Sequence, residues 1–296
     1  MKKVLIAVVI LGMSGGAYAA DFEKLAVKAG GLKALASAEG VAVPDVPKGD
    51  MRSAEAGTPV KFITINGGSF MMGRESMGSL FGDAKPIHAV AIKTFEMSKT
   101  EVTVGQYAQC VEQGACTEPT TGKYCNWGKP NRQLYPANCV TWDQANQYAK
   151  FIGARLPSEA EWEYAVKSGG KNQKYSWGND KPTCDKAVMH GRGDDGCGTG
   201  GTLPVCSKPA GNTAQGLCDM IGNVGEWVQD KYQFSYDEAP ADGSAYEASG
   251  SMRVMRGGSF VSGELSYLNL GDLRADSRSN SPADLRYPYY GFRLAR

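Results

Sequence analysis

Gly216-Leu217-Cys218-Asp219-Met220-Ile221-Gly222-Asn223-Val224-Gly225-Glu226-Trp227 closes a Gly-rich stretch, from Gly178 onward, with almost no hydrophobic period. Such a stretch buries too little apolar surface to hold itself, so it needs staples or an ion. Cys218, Asp219 and Glu226 are the groups in this closing segment that could supply them.

Working outward, the chain is more regular. Downstream, Arg253-Val254-Met255-Arg256-Gly257-Gly258-Ser259-Phe260 and Gly291-Phe292-Arg293-Leu294 read as two core strands, bracketing a polar segment of about 30 residues. Upstream, three helices are expected. One runs over Val104 to Val111, capped by Thr103. One opens at Val140-Thr141-Trp142, with Ala145, Tyr148, Ala149 and Ile152 at the 3.6 period. One is capped by Ser158, with Glu161 completing a capping box and Trp162, Ala165 and Val166 as its inner face. Lys61-Phe62-Ile63-Thr64-Ile65 alternates as a strand. Asn66-Gly67-Gly68 is expected to turn it onto Ser69-Phe70-Met71-Met72-Gly73, and His88 to Ile92 forms another strand. Residues 20–58 read as a short helix and a linker.

Composition sets the class. The 296 residues are 42% hydrophobic, too apolar for a disordered chain. Lys and Arg total 32 against 31 Asp and Glu, so there is no dense basic face for nucleic acid. Met1-Lys2-Lys3, the apolar Val4 to Met13 and Ala17-Tyr18-Ala19 form the three parts of a Sec signal peptide over residues 1–19, cleaved near Ala19. The apolar run is too short to span a bilayer, and no later apolar run reaches spanning length. The protein is therefore expected in the periplasm or secreted.

The eight cysteines agree with export. Their spacing suggests local bridges, Cys110–Cys116, Cys125–Cys139, Cys184–Cys197 and Cys206–Cys218, among about 105 possible pairings. Zinc is disfavoured, because no Cys-x-x-Cys occurs and His88 and His190 are the only histidines.

Taken in series, several segments resemble the formylglycine-generating enzyme, or sulfatase-modifying factor, family. They are Gly67 to Gly73, Glu101-Val102-Thr103, Val140-Thr141-Trp142, Arg155-Leu156-Pro157-Ser158-Glu159-Ala160-Glu161-Trp162-Glu163 and Tyr175-Ser176-Trp177-Gly178. The opening stretch, Arg256 to Phe260 and Gly291-Phe292-Arg293 complete the set. The resemblance covers a domain over 59–296. It implies an irregular α+β fold related to C-type lectins, with a twisted antiparallel sheet, few helices and long loops.

It also carries chemistry, with departures. The family's oxidases hold copper with two cysteines after the Arg-Gly-Gly-Ser-aromatic strand; here Ser262 stands at the first position and no cysteine follows Cys218. No copper is expected, since a hydroxyl is not the soft ligand that Cu(I) selects. A three-histidine iron site, as in another branch, cannot be built from two histidines. Calcium is implied at Asp219 and Glu226 with the carbonyls of Gly222 and Val224, and at a second site using Asp195 and the Cys197 carbonyl.

The segment from Ser262 to Tyr290 is rich in Tyr, Asn, Arg and Asp, the residue types of recognition surfaces. In the family it borders the substrate groove, and lectin-like variable proteins use it as a binding face. Ser262, Tyr267, Asn269, Arg274, Arg278, Arg286 and Tyr289 are the expected contacts for a peptide, protein or small-molecule ligand. The leading expectation is a non-oxidase binding or accessory protein. The alternatives are a periplasmic enzyme of altered chemistry, as in siderophore maturation or protein modification, and a structural disulfide-stapled module.

Overall fold

The computed structural model describes residues 58–75, 83–191, 193–263 and 273–296. The signal peptide, most of the 20–58 segment, Tyr267 and Asn269 lie outside them.

Four short strands come first: β1 (Phe62–Ile65), β2 (Gly68–Met72), β3 (His88–Ile92) and β4 (Phe95–Ser98). The expected β1–β2 hairpin does not form. β1 pairs with β4 and β2 with β3, in one antiparallel register on both sides of the break. Asn66-Gly67 is thus a bend in one long ribbon, not a reversal. Gly67 carries it: a Cβ there would stand 2.4 Å from the Ile92 carbonyl oxygen, and its N–H donates to Thr94 Oγ1 at 3.0 Å.

Three helices follow: α1 (Val104–Glu112), α2 (Trp142–Phe151) and α3 (Glu159–Val166). Each starts with a reciprocal capping box, from Thr103, Thr141 and Ser158 to Gln106, Gln144 and Glu161. Each box satisfies two backbone donors at the first turn.

The central sheet has the order β7-β6-β5-β8, built from β5 (Gly225–Lys231), β6 (Met252–Arg256), β7 (Arg278–Pro282) and β8 (Tyr290–Phe292). Pairing is antiparallel except for β5–β8, which is parallel. Two of these strands were not expected. β5 lies at the end of the Gly-rich stretch, and β7 lies in the polar segment, with Arg278-Ser279-Asn280-Ser281-Pro282 as its sequence. Both take their place from neighbours, so neither needs apolar alternation of its own.

The sheet separates two cores. Val228 and Val254 face one, with Trp162 of α3, Phe70 and Val90. Trp227, Met255 and Phe292 face the other, with Tyr107 of α1 and Tyr148 of α2. Adjacent residues on β5 and β6 serve opposite cores because side chains alternate along a strand. Every residue of α3 is buried, including Glu159, Glu161 and Glu163. An inner face of Trp162, Ala165 and Val166 is therefore only part of its contact.

The eight cysteines close four disulfides in sequential pairing: Cys110–Cys116, Cys125–Cys139, Cys184–Cys197 and Cys206–Cys218. Among the described residues, no helix is long and apolar enough to cross a membrane.

Candidate functional site

The residues expected to contact ligand divide into two groups. Three are drawn inward. Ser262 is fully buried, and its Oγ accepts the Ser259 N–H at 3.0 Å. Arg278 makes two bonds to the Glu159 carboxylate, at 2.7 and 2.9 Å, and donates to the carbonyls of Asp83 and Gln233. Its guanidinium also lies over the Tyr236 ring, 4.2 Å from the centroid. Arg274 is held by Asp276 through two bonds, at 2.9 and 2.6 Å. Ser262 and Arg278 are thus engaged in the interior, while Arg274 is half-buried. Charged groups drawn into the interior are stable only when paired, and here each guanidinium has its carboxylate.

Arg286 and Tyr289 remain at the surface, and other side chains join them. The Tyr287 and Tyr289 rings stack at 5.2 Å with 3° between their planes, and Tyr290 meets both edge-on. Burial pushes the Tyr289 phenol up to about 12, so it stays a hydrogen-bond donor at neutral pH. Tyr124 comes from the loop of the Cys125–Cys139 disulfide, and its ring lies 6.5 Å from that of Phe260. Asn138 clamps the two segments. Its amide donates to the Tyr124 and Pro288 carbonyls, and its oxygen accepts the Asn126 N–H at 2.7 Å. Arg286 donates across the same junction to Thr120 Oγ1 at 3.1 Å. Sequence reasoning missed Tyr124 because the face is assembled from segments more than 140 positions apart. The available signal was a Lys-Tyr pair beside a disulfide cysteine.

The metal expectations fare differently from the disulfides. All eight cysteines are consumed in disulfides, so no thiol pair exists for copper, and the residues present do not fit it. At the first expected calcium position, both Glu226 oxygens accept from Arg293 at 2.7 Å, and Oε2 also accepts the Trp162 indole N–H. Asp219 accepts the Cys206 N–H, and burial pushes its carboxyl up to about 6. Glu101 beside it is raised well above the ordinary range by burial and by the charges of Asp219 and Glu226. A fixed guanidinium and protonatable carboxyls already balance charge here, so the pair does not fit calcium. Gly222 and Val224 have packing roles. A Cβ on Gly222 would meet the Val188 carbonyl oxygen at 2.5 Å, and Val224 lies against Gly291. At the second position, Asp195 Oδ1 stands 2.8 Å from His190 Nδ1. Among the described residues, no three His, Cys, Asp or Glu side chains group to hold a metal. The calcium expected at Asp219, Gly222, Val224, Glu226, Asp195 and Cys197 thus meets carboxylates already engaged within the protein at Glu226 and Asp195.

A cavity is lined by Met72, Glu159, Asp230, Tyr236, Tyr246 and Arg278. Its carboxylates are committed within the protein. Asp230 accepts the N–H groups of Glu159 and Tyr246, at 2.7 and 2.9 Å.

The sulfatase-modifying factor enzyme 1-like domain matches residues 47–296, most of the chain. The chain belongs to that family. It is 28% identical over 291 residues to the formylglycine-generating enzyme of Streptomyces coelicolor, covering 79% of this chain and 88% of the relative. It is 32% identical over 257 residues to the serine/threonine-protein kinase pkn1 of Chlamydia caviae; 80% of this chain matches but only 38% of that relative's length. Among solved structures, PvdO from Pseudomonas aeruginosa superposes with a TM-score of 0.66 at 30% identity, covering 79% of this chain and 93% of PvdO. In this chain Arg155, Arg256 and Arg293 are half-buried or buried and are held by carboxylate pairs.

Proposed function

We propose that this is an exported member of the family that binds a ligand through the face of Tyr124, Arg286, Tyr287 and Tyr289, and that it does not carry out copper-dependent oxidation. One observation carries the reading: every cysteine is closed in a disulfide, so the family's thiol chemistry has no donor in this chain. The disulfides also suit an oxidising compartment, in keeping with the signal peptide read at residues 1–19. The tyrosines supply rigid, amphipathic contact area at low entropic cost.

The test has two arms. Protein loaded with Cu(I) and given oxygen and a Cys-x-Pro-x-Arg peptide yields no formylglycine by mass spectrometry. Screened on a peptide and glycan array, the protein retains ligands whose binding is lost in Tyr287→Ser and Tyr289→Ser. Turnover of the peptide would return the chain to the oxidases, and the absence of any tyrosine-dependent ligand would remove the binding reading.

A second reading, an enzyme of altered chemistry, has one observation in its favour. The His190 backbone N–H donates to the Ser262 carbonyl at 2.8 Å, which brings the backbone of His190, whose imidazole is held by Asp195, next to the position of the family's first cysteine. On that reading His190→Gln abolishes turnover and leaves ligand binding intact.

A further inference from the structure

We infer that the face of Tyr124 and Tyr287 takes an acidic peptide segment, one that alternates carboxylates with aromatic or aliphatic side chains. The inference rests on the reading that this face is a ligand site, and it names the ligand's chemistry.

Charge pairing carries the argument. Every described arginine elsewhere lies within salt-bridge distance of a carboxylate. Arg132 and Arg286 have no such partner among the described residues. Both belong to the two segments that Asn138 joins, 117–139 and 283–290. Arg286 is exposed and spends one nitrogen on Thr120 Oγ1, which leaves its other N–H donors free for a planar anion. Arg132 lies over the Tyr135 ring, its guanidinium carbon 3.9 Å from the centroid, which fixes the plane of its donors.

Two lysines belong to the same segments. Lys123 Nζ stands 4.8 Å from the centre of the exposed Tyr124 ring. The Lys129 ammonium is pushed down by partial burial and by the charge of Arg132. The Lys129 and Arg132 charges thus lie close to each other, and among the described residues the carboxylates of Glu118 and Asp284 on the same segments form no salt bridge. In a chain of nearly balanced charge, 32 Lys and Arg against 31 Asp and Glu, this imbalance is local. Complementary potential of that kind selects partners and speeds encounter.

Apolar exposure falls in the same place. Of the large hydrophobic side chains that stay exposed, Tyr124, Leu285 and Tyr287 lie on these segments; Met71 and Phe234 lie elsewhere. Tyr124, Leu285 and Tyr287 are 37–43% exposed. An extended chain can lay side chains across such a surface, whereas a small molecule needs a concave pocket to bury itself.

The experiment uses the full, disulfide-bonded protein and two fluorescent peptides of equal length, one alternating Glu with Tyr and Leu, the other Lys with Tyr and Leu. Fluorescence anisotropy is expected to give the Glu peptide about tenfold or greater preference, shrinking as salt rises. The double variant Lys123→Glu/Arg286→Glu, with its disulfides and circular dichroism unchanged, is expected to lose that preference. Tyr287→Ser is expected to weaken binding without reversing the preference. Equal binding of both peptides, still dependent on Tyr287, would overturn the acidic ligand and leave the binding face standing. Binding of neither peptide in a Tyr287-dependent way would overturn both.

Discussion

Arg293 and Glu226 join through two hydrogen bonds of 2.7 Å, and neither side chain is more than 1% exposed. The same guanidinium donates to the carbonyls of Ser98 and Cys218, at 3.1 and 2.8 Å. One arginine after β8 therefore ties the end of β4, the Gly-rich stretch and β5 into a single junction. The planar fork of five donors makes this possible; an ammonium would act as a point charge and could not hold the same geometry.

Removing that arginine leaves Glu226 buried without its counter-charge, beside Asp219 and Glu101. Arg293→Leu is expected to cost about 3–5 kcal/mol, the range for breaking a buried pair by deleting one partner. Arg293→Lys is expected to recover little of it. Urea unfolding followed by tryptophan fluorescence measures both, and a loss below about 1 kcal/mol for the leucine variant would contradict the junction.

Stability is expected to depend on pH through two buried carboxyls of opposite sign. Burial, reinforced by Glu159, raises Asp230 from 3.8 to about 7. Its contribution is fully present below pH 3.8 and is lost as pH rises through about 7. Glu163 is held at about 2, below its ordinary 4.5, because Lys167 and Arg256 outweigh its burial. Its contribution is present above 4.5 and is lost as pH falls through about 2. From these two groups, unfolding free energy is greatest near pH 4–5 and declines toward pH 8. Chemical denaturation across that range checks the position of the maximum.

Chelation is expected to leave the melting temperature unchanged, because Arg293 and His190 stand where a calcium ion would need free carboxylates. Reduction is expected to lower it. For the Cys125–Cys139 bridge, with a separation of 14, the double alanine variant is expected to lose about 3 kcal/mol. It should also loosen Tyr124, read as faster hydrogen exchange over 120–139 than over α3. A chelator-induced shift of several degrees would restore an ion to the structure.

Ser262→Cys is expected not to create an oxidase. The position is fully buried, and a single thiol there would still lack a second sulfur ligand. Copper titration followed by the thiolate charge-transfer band should show no stoichiometric site. A tight one-to-one complex would mean that the other disulfides open.

Gly67→Ala probes the ribbon. Its Cβ would press on the Ile92 carbonyl, a backbone atom that cannot rotate away, so a loss of about 1–3 kcal/mol is expected. A two-strand turn at Gly67 would tolerate alanine far better.

The amino-acid order by itself settled whatever depends on neighbours in sequence. The three helix starts follow from Thr103, Thr141 and Ser158 acting on residues three positions ahead. The four disulfides follow the sequential spacing of the cysteines, whose separations run from 6 to 14. The family was legible because its motifs recur in order along the chain. What tertiary structure alone decided involves partners far apart in sequence. β7 is a strand because β6 offers it a backbone edge, although Arg278-Ser279-Asn280-Ser281-Pro282 has no strand pattern. Arg278 reads as a surface contact in sequence, yet Glu159, 119 positions earlier, draws it into the core. Glu226 reads as an isolated carboxylate in sequence, yet Arg293, 67 positions later, meets both of its oxygens. A charge goes inside only where an opposite charge awaits it, and that meeting is fixed by the folded chain rather than by local pattern.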